Sequence, residues 1–149
     1  MGVSLKCQYA LRALFELAKR EGEGLIRLTD IAEKQAIPAR FLENILNQLR
    51  QGGFVESRRG KEGGFLLTRP SSQITAGDII RFIEGPVHPV DCSGDNPTHK
   101  CPLKGGCVFM LLWDEAKNAL EQVYDSKTLK DMVELEKKMG AEQPCNYMI

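Results

Sequence analysis

The sequence predicts a mainly helical (α+β) fold, with a short β-hairpin in its first half and a long helix behind a cysteine-rich loop. Three observations carry that prediction. Two helical segments lie either side of a tight break at Ala36-Ile37. Two short apolar stretches then flank the basic, glycine-rich turn R-R-G-K-E-G-G. From Val108 to Val123, apolar residues recur at helical spacing.

In the first helix, apolar residues at 10, 11, 14, 15, 17 and 18 make an amphipathic pattern over Tyr9–Lys19, which Gly22 and Gly24 end. Leu25–Leu28 is too short for a helix and suits a small strand. Thr29 or Asp30 can cap a second helix over Ile31–Gln35, with Glu33 near its positive end. Pro38 is tolerated in the first turn of a third helix, because its missing N–H would be unpaired there. That helix runs Ala39–Gln51. Leu42, Ile45, Leu46 and Leu49 form its apolar stripe, while Arg40, Glu43, Asn44 and Asn47 lie elsewhere on its surface. Gly52-Gly53 terminates it. Two helices with a tight break, the second polar in its first turns, make the helix-turn-helix pattern.

Phe54–Ser57 and Phe65–Thr68 read as strands, joined by a turn whose arginines and lysine project from the tip. A basic hairpin directly after such a helix pair is a wing, whose guanidinium groups suit phosphates or a narrow minor groove. Thr75 with Asp78 resembles a capping box for a helix through Glu84, stopped by Gly85-Pro86. The long helix from Val108 is apolar beyond one stripe, since Phe109, Met110 and Trp113 widen it, and this points to packing against a second copy. A charged helical segment, Thr128–Met139, and a short tail follow.

The formal net charge is zero, so the totals do not announce a nucleic-acid binder; its distribution does. Between residues 50 and 69, Arg50, Arg58, Arg59, Lys61 and Arg69 outnumber Glu56 and Glu62. Residues 114–142 are acidic in balance, with eight carboxylates against five lysines. No apolar run approaches a membrane span, and the expected location is the cytoplasm, where thiols stay reduced. The five cysteines are an odd number, which argues against a closed disulfide framework. Cys92, Cys101 and Cys107 are spaced by eight and five residues rich in glycine, proline and polar side chains. Metal or redox chemistry is the better reading of such a trio. No catalytic constellation is evident, so an enzyme is not expected.

Taken in order, these segments resemble the Rrf-two-type bacterial transcription regulators, in particular the IscR-like members with a three-cysteine iron–sulfur loop. The residues that carry the resemblance are Q-Y-A-L-R-A-L, I-P-A-R-F-L-E-N-I-L-N-Q-L, R-R-G-K-E-G-G-F-L-L, I-T-A-G-D-I-I-R-F-I-E-G, the three cysteines and G-C-V-F-M-L-L-W, across about residues 4–133. The resemblance implies a winged helix-turn-helix over 1–85, a cluster-binding loop over 86–107, a dimerisation helix and helical segment over 108–139, and a tail over 140–149. It implies a homodimer on a near-palindromic DNA operator, with the third helix in the major groove. Arg40, Glu43 and Asn44 stand at base-reading positions, flanked by Pro38 and Ala39. Arg59 stands at the minor-groove position of the wing, with Arg58, Gly60 and Lys61 beside it.

By the same resemblance, Cys92, Cys101 and Cys107 map onto iron–sulfur cluster ligands, with a 2Fe–2S cluster favoured over 4Fe–4S. Met110 stands where IscR-like members place a histidine, and Gln8 where others place an acid. The fourth ligand is therefore open among His99, Cys7, Gln8 and His88. Two other readings stand beside the cluster. Zinc could be held by Cys92, Cys101, Cys107 and His99, or the regulator could be cluster-free. An iron–sulfur electron carrier would have no use for a basic wing.

Overall fold

The computed structural model describes residues 2–93 and 101–142. His99, a candidate fourth ligand, lies outside the described residues, as do Lys100 and Cys145. The chain folds as α1 (Leu5–Lys19), α2 (Leu28–Gln35), α3 (Ala39–Gln51), β1 (Val55–Arg58), β2 (Gly64–Leu67), a 3-10 turn (Ser71–Gln73), α4 (Ala76–Glu84), α5 (Phe109–Asp125) and α6 (Leu129–Glu142). This is the mainly helical winged fold expected from sequence.

The hub is α1, which packs on α2, α3, α4, α6 and β2. Its buried face carries Cys7, Ala10, Ala13, Leu14, Leu17 and Ala18. The alanines let neighbouring helices approach closely, while Leu14 and Leu17 fill the space between them. The helix begins one turn earlier than its apolar period indicates. Ser4 supplies the cause: its hydroxyl accepts from the Cys7 N–H at 3.1 Å, capping the first turn.

Between α1 and α2 the expected strand shrinks to one bridge. Ile26 and Phe65 exchange backbone hydrogen bonds of 2.9 and 2.8 Å, and α2 starts only two residues later, at Leu28. Arg27, not Thr29 or Asp30, occupies the N-cap, and it offers no side-chain cap. Asp30 thus falls inside the first turn, where a carboxylate suits the positive helix end. At the other end, Ala36 adopts a left-handed conformation (φ 50°), an uncommon state for a non-glycine residue. It reverses the chain so that Ile37, 3% exposed, plugs the core. Pro38 sits at the N-cap of α3 (φ −57°, ψ 126°) rather than in its first turn.

The wing pairs antiparallel in the register Val55↔Leu67 through Arg58↔Gly64. Gly64 is required there: a Cβ would lie 2.5 Å from the Ile26 carbonyl oxygen. Beyond the wing, Thr75 and Asp78 form the expected capping box on α4. Thr128 and Asp131 repeat it on α6, with reciprocal bonds of 2.9 and 3.1 Å. The two caps are stitched together by Ala76 N–H to Lys127 O (2.8 Å) and Leu129 N–H to Ile74 O (2.9 Å).

The C-terminal end of α5 is clamped to α4. Arg81 donates to both carboxylate oxygens of Asp125, at 2.6 and 3.3 Å, and this pairing holds the guanidinium pKa above its ordinary value. Gly77 leaves room for the clamp, since a Cβ would strike the Asp125 carboxylate. Elsewhere α5 has no buried residue. Phe109, Leu111 and Leu112 are 57%, 73% and 50% exposed.

The stripe predicted on α3 is the stripe that is buried, with Leu46 fully inaccessible. Leu46→Ala is expected to cost about 2–5 kcal/mol, read as a lower urea midpoint with an unchanged slope.

Candidate nucleic-acid interface and thiol segment

Burial of Leu42, Ile45, Leu46 and Leu49 decides which face of α3 is left to solvent. Arg40, Glu43, Asn44 and Asn47 follow the spacing of one helical face, and all four are exposed. Pro38 and Ala39 are exposed at the helix entry. Together these side chains offer the donors and acceptors that read base edges: a guanidinium for guanine, carboxamides for adenine and a carboxylate for the cytosine amine. Phe41, 58% exposed, flanks this face, and sequence reading did not single it out. Its apolar ring suits a thymine methyl. The available signal was an aromatic residue placed next to the polar face instead of on the buried stripe.

The wing tip extends the same chemistry. Arg58, Arg59, Gly60 and Lys61 are all exposed. A backbone bond from Gly63 N–H to Gly60 O (3.0 Å) closes the turn. Arg27 steadies it from outside by donating from Nη2 to the Lys61 carbonyl at 3.2 Å. The wing is therefore tied both to the bridge at Ile26 and to the start of α2.

The cysteines divide into two environments. Cys92, Cys101 and Cys107 are half-buried with free thiols, and Cys107 stands just ahead of α5. Cys7 is fully buried in the core. Desolvation, reinforced by the nearby Glu84 carboxylate, pushes its thiol up to about 11. Cys7 thus stands in a different environment from the half-buried trio. Gln8 is exposed, with its amide donating to the Val3 carbonyl at 3.0 Å. His88 is half-buried and lines a cavity with Glu84, Leu120 and Tyr124. Among the described residues, no three His, Cys, Asp or Glu side chains converge closely enough to hold a metal ion. The donor type suits iron–sulfur or zinc chemistry, whereas a convergent ligand set is not present among those residues.

Residues 3–135 match the family profile described as Rrf2, iron-dependent transcriptional regulator. The chain belongs to the Rrf2 family. Its members are transcriptional regulators, not enzymes. This Rrf2 chain is 39% identical over 132 residues to the transcriptional regulator CymR of Bacillus subtilis, covering 89% of each. Among solved structures it resembles CymR, the global cysteine regulator of B. subtilis, with a TM-score of 0.74 and 38% identity over 91% of this chain and 98% of that one. It also resembles T. potens IscR, with a TM-score of 0.73 and 35% identity over 99% and 96% of the two chains. No helix among the described residues is long and apolar enough to cross a membrane.

The two thiol environments should separate chemically. In the reduced, folded apoprotein at about pH 8, an alkylating reagent should modify Cys92, Cys101 and Cys107 but spare Cys7 until the protein unfolds, as read by mass spectrometry. The raised Cys7 pKa also sets a sign. Stability from the neutral buried thiol is complete below its unfolded value of 9.0 and drains away as pH rises through about 11. Urea midpoints should fall across that window, and less steeply in Cys7→Ala.

Proposed function

We propose that this chain is a homodimeric operator-binding transcription regulator that inserts α3 into the major groove and lays its wing along the adjacent backbone. One observation carries the reading: the solvent face of α3 presents Arg40, Glu43, Asn44 and Asn47 beside a cationic wing, on a rigidly buried scaffold. Reading a groove requires such a rigid presentation, because base-edge hydrogen bonds tolerate little displacement. The exposed apolar residues of α5 supply the surface for a second copy. A cleft of about 340 Å³ between α1 and α6, lined by Leu11, Phe15, Met132, Leu135 and Met139, adds to it. Twofold symmetry then predicts a near-palindromic site with two half-sites.

Two readings of the signal follow. Similarity to CymR supports a cluster-free regulator, in which the half-buried thiols themselves, or a partner protein, report cellular sulfur or redox state. It is the better supported, since this chain shares more identity with CymR of B. subtilis, 39% in sequence and 38% against its solved structure, than the 35% it shares with T. potens IscR. The second gives Cys92, Cys101 and Cys107 to an iron–sulfur cluster, 2Fe–2S before 4Fe–4S, and is supported by the soft donor set and the likeness to IscR. Such a cluster would supply redox- and iron-dependent occupancy. In either reading the thiol segment leads into α5, whose far end is clamped to α4 by Arg81 and Asp125. An event at the cysteines can thereby bias how two reading heads are spaced, to the extent that it favours one arrangement over the other.

Duplexes selected from random DNA should be bound as half-site pairs. Arg40→Ala and Asn44→Ala should each lose about 1–3 kcal/mol on the selected site while retaining non-specific binding; unaltered site preference in both would reject the α3 assignment. Anaerobic preparation followed by iron and sulfide analysis separates the two signals. Colourless, iron-free protein even after reconstitution supports the cluster-free reading. Stoichiometric iron and sulfide, lost in Cys92→Ala, Cys101→Ala or Cys107→Ala, supports the cluster, and zinc in their place supports a structural Cys-three-His site.

A further inference from the structure

Between the wing and the start of α2 lies a shallow cavity of about 300 Å³. Arg27, Arg58 and Lys61 line it, together with Thr29 and the backbone of the glycines at 60, 63 and 64. No carboxylate lines it. Among the described residues, none of the three cations has an ion-pair partner, whereas Lys19, Arg20 and Arg81 are all paired. Three neighbouring positive charges without compensation repel one another. Here they are held together by the fold: Arg27 by its place between the Ile26 bridge and α2, Arg58 by the β1–β2 register, and Lys61 by the turn that Arg27 itself grips through the Lys61 carbonyl. A cavity that gathers cations, a hydroxyl and glycine backbone, with no internal counter-charge, is built for an oxyanion.

We propose that this cavity is a phosphate-binding site in which Arg27, with Arg58 and Lys61, clamps one backbone phosphodiester of the bound duplex. The inference rests on the operator-binding reading and adds to it Arg27, a residue that belongs to neither α3 nor the wing. Arg27 has two tasks under this assignment. One arm of its guanidinium fixes the wing through the Lys61 carbonyl, leaving the remaining donors for the phosphate. Because phosphate contacts set register without reading sequence, the clamp would fix where the wing sits before any base is tested.

The test compares wild type, Arg27→Gln, Arg27→Ala and the remote control Lys130→Gln on a selected duplex and on non-specific duplex across a salt series. Glutamine keeps an N–H donor for the Lys61 carbonyl and removes the charge, so it separates phosphate binding from wing support. Both Arg27 variants should bind about tenfold more weakly on either duplex. The slope of log affinity against log salt should flatten by about 0.9, one phosphate contact, and Lys130→Gln should match wild type. Restoration of wild-type affinity and slope in Arg27→Gln would overturn the clamp and leave Arg27 a wing support. Inorganic phosphate supplies the other arm. If it stabilises wild type but not Arg27→Gln against heat, while the DNA slope is the same in both, the site serves a free anion and the DNA-backbone assignment fails. A wild-type protein with no salt-dependent duplex binding would sink the regulator reading and the clamp together, an outcome distinct from a normal wild type with unaltered variants.

Discussion

Burial of one face of α1 is the constraint on which the molecule depends. That helix touches α2, α3, α4, α6 and β2, so each element's place is measured from it. The face it buries is narrow-bodied, with alanines at 10, 13 and 18 between Leu14 and Leu17. Larger residues there would push α3, α4 and α6 away from α1. A buried carboxylate, Glu16, adds a polar tie by accepting from Gln35 at 2.8 Å, which fixes the end of α2 just before the left-handed Ala36. Lys19 sits within 3.9 Å of Glu16 and bridges to Glu136 on α6 at 3.1 Å. One compensated buried charge thus ties α2 and α6 to α1, an arrangement that is stable only while the carboxylate keeps its partners.

On this scaffold, the division of labour between stability and recognition follows helix geometry. A residue on α3 is either on the stripe that α1 buries or on the face that meets solvent, and the two sets of side chains do not overlap. Core substitutions would change how much protein is folded, whereas Arg40 and Asn44 stand on the exposed face, outside that packing. Phe41 falls on the solvent side, an aromatic ring left exposed beside the polar residues. The same economy appears in α5, where exposed apolar residues at the start coexist with a polar clamp at the end. A helix fixed at one end and uncovered along its length is suited to carry a change at Cys107 toward α4.

Most elements were legible in the sequence because their signals are local. The 3.6-residue stripe on α3, the capping box at Thr75 and the strand–turn–strand pattern of the wing each reside within about fifteen residues. The misplacements have equally specific causes. The start of α1 was missed by following apolar period and overlooking Ser4, whose cap adds a turn with little apolar signal. The small strand at 25–28 was over-read, because its pairing with Phe65 is long-range and limited to Ile26, after which α2 begins at once. Pro38 was placed one position too far into the helix. The burial of Cys7 is likewise invisible in sequence, which gives a thiol without its dielectric surroundings.

Sequence by itself determined the element types, the polar and apolar faces of α3, the basic character of the wing and the thiol inventory, since all of these depend on residue identity and short-range spacing. Tertiary structure alone decided which cations stand together, which thiol is buried and where α5 is anchored. Arg27 and Lys61 are 34 residues apart, and Arg81 and Asp125 are 44 apart. No local pattern encodes such meetings, because they arise only when burial of α1 brings distant segments to the same surface.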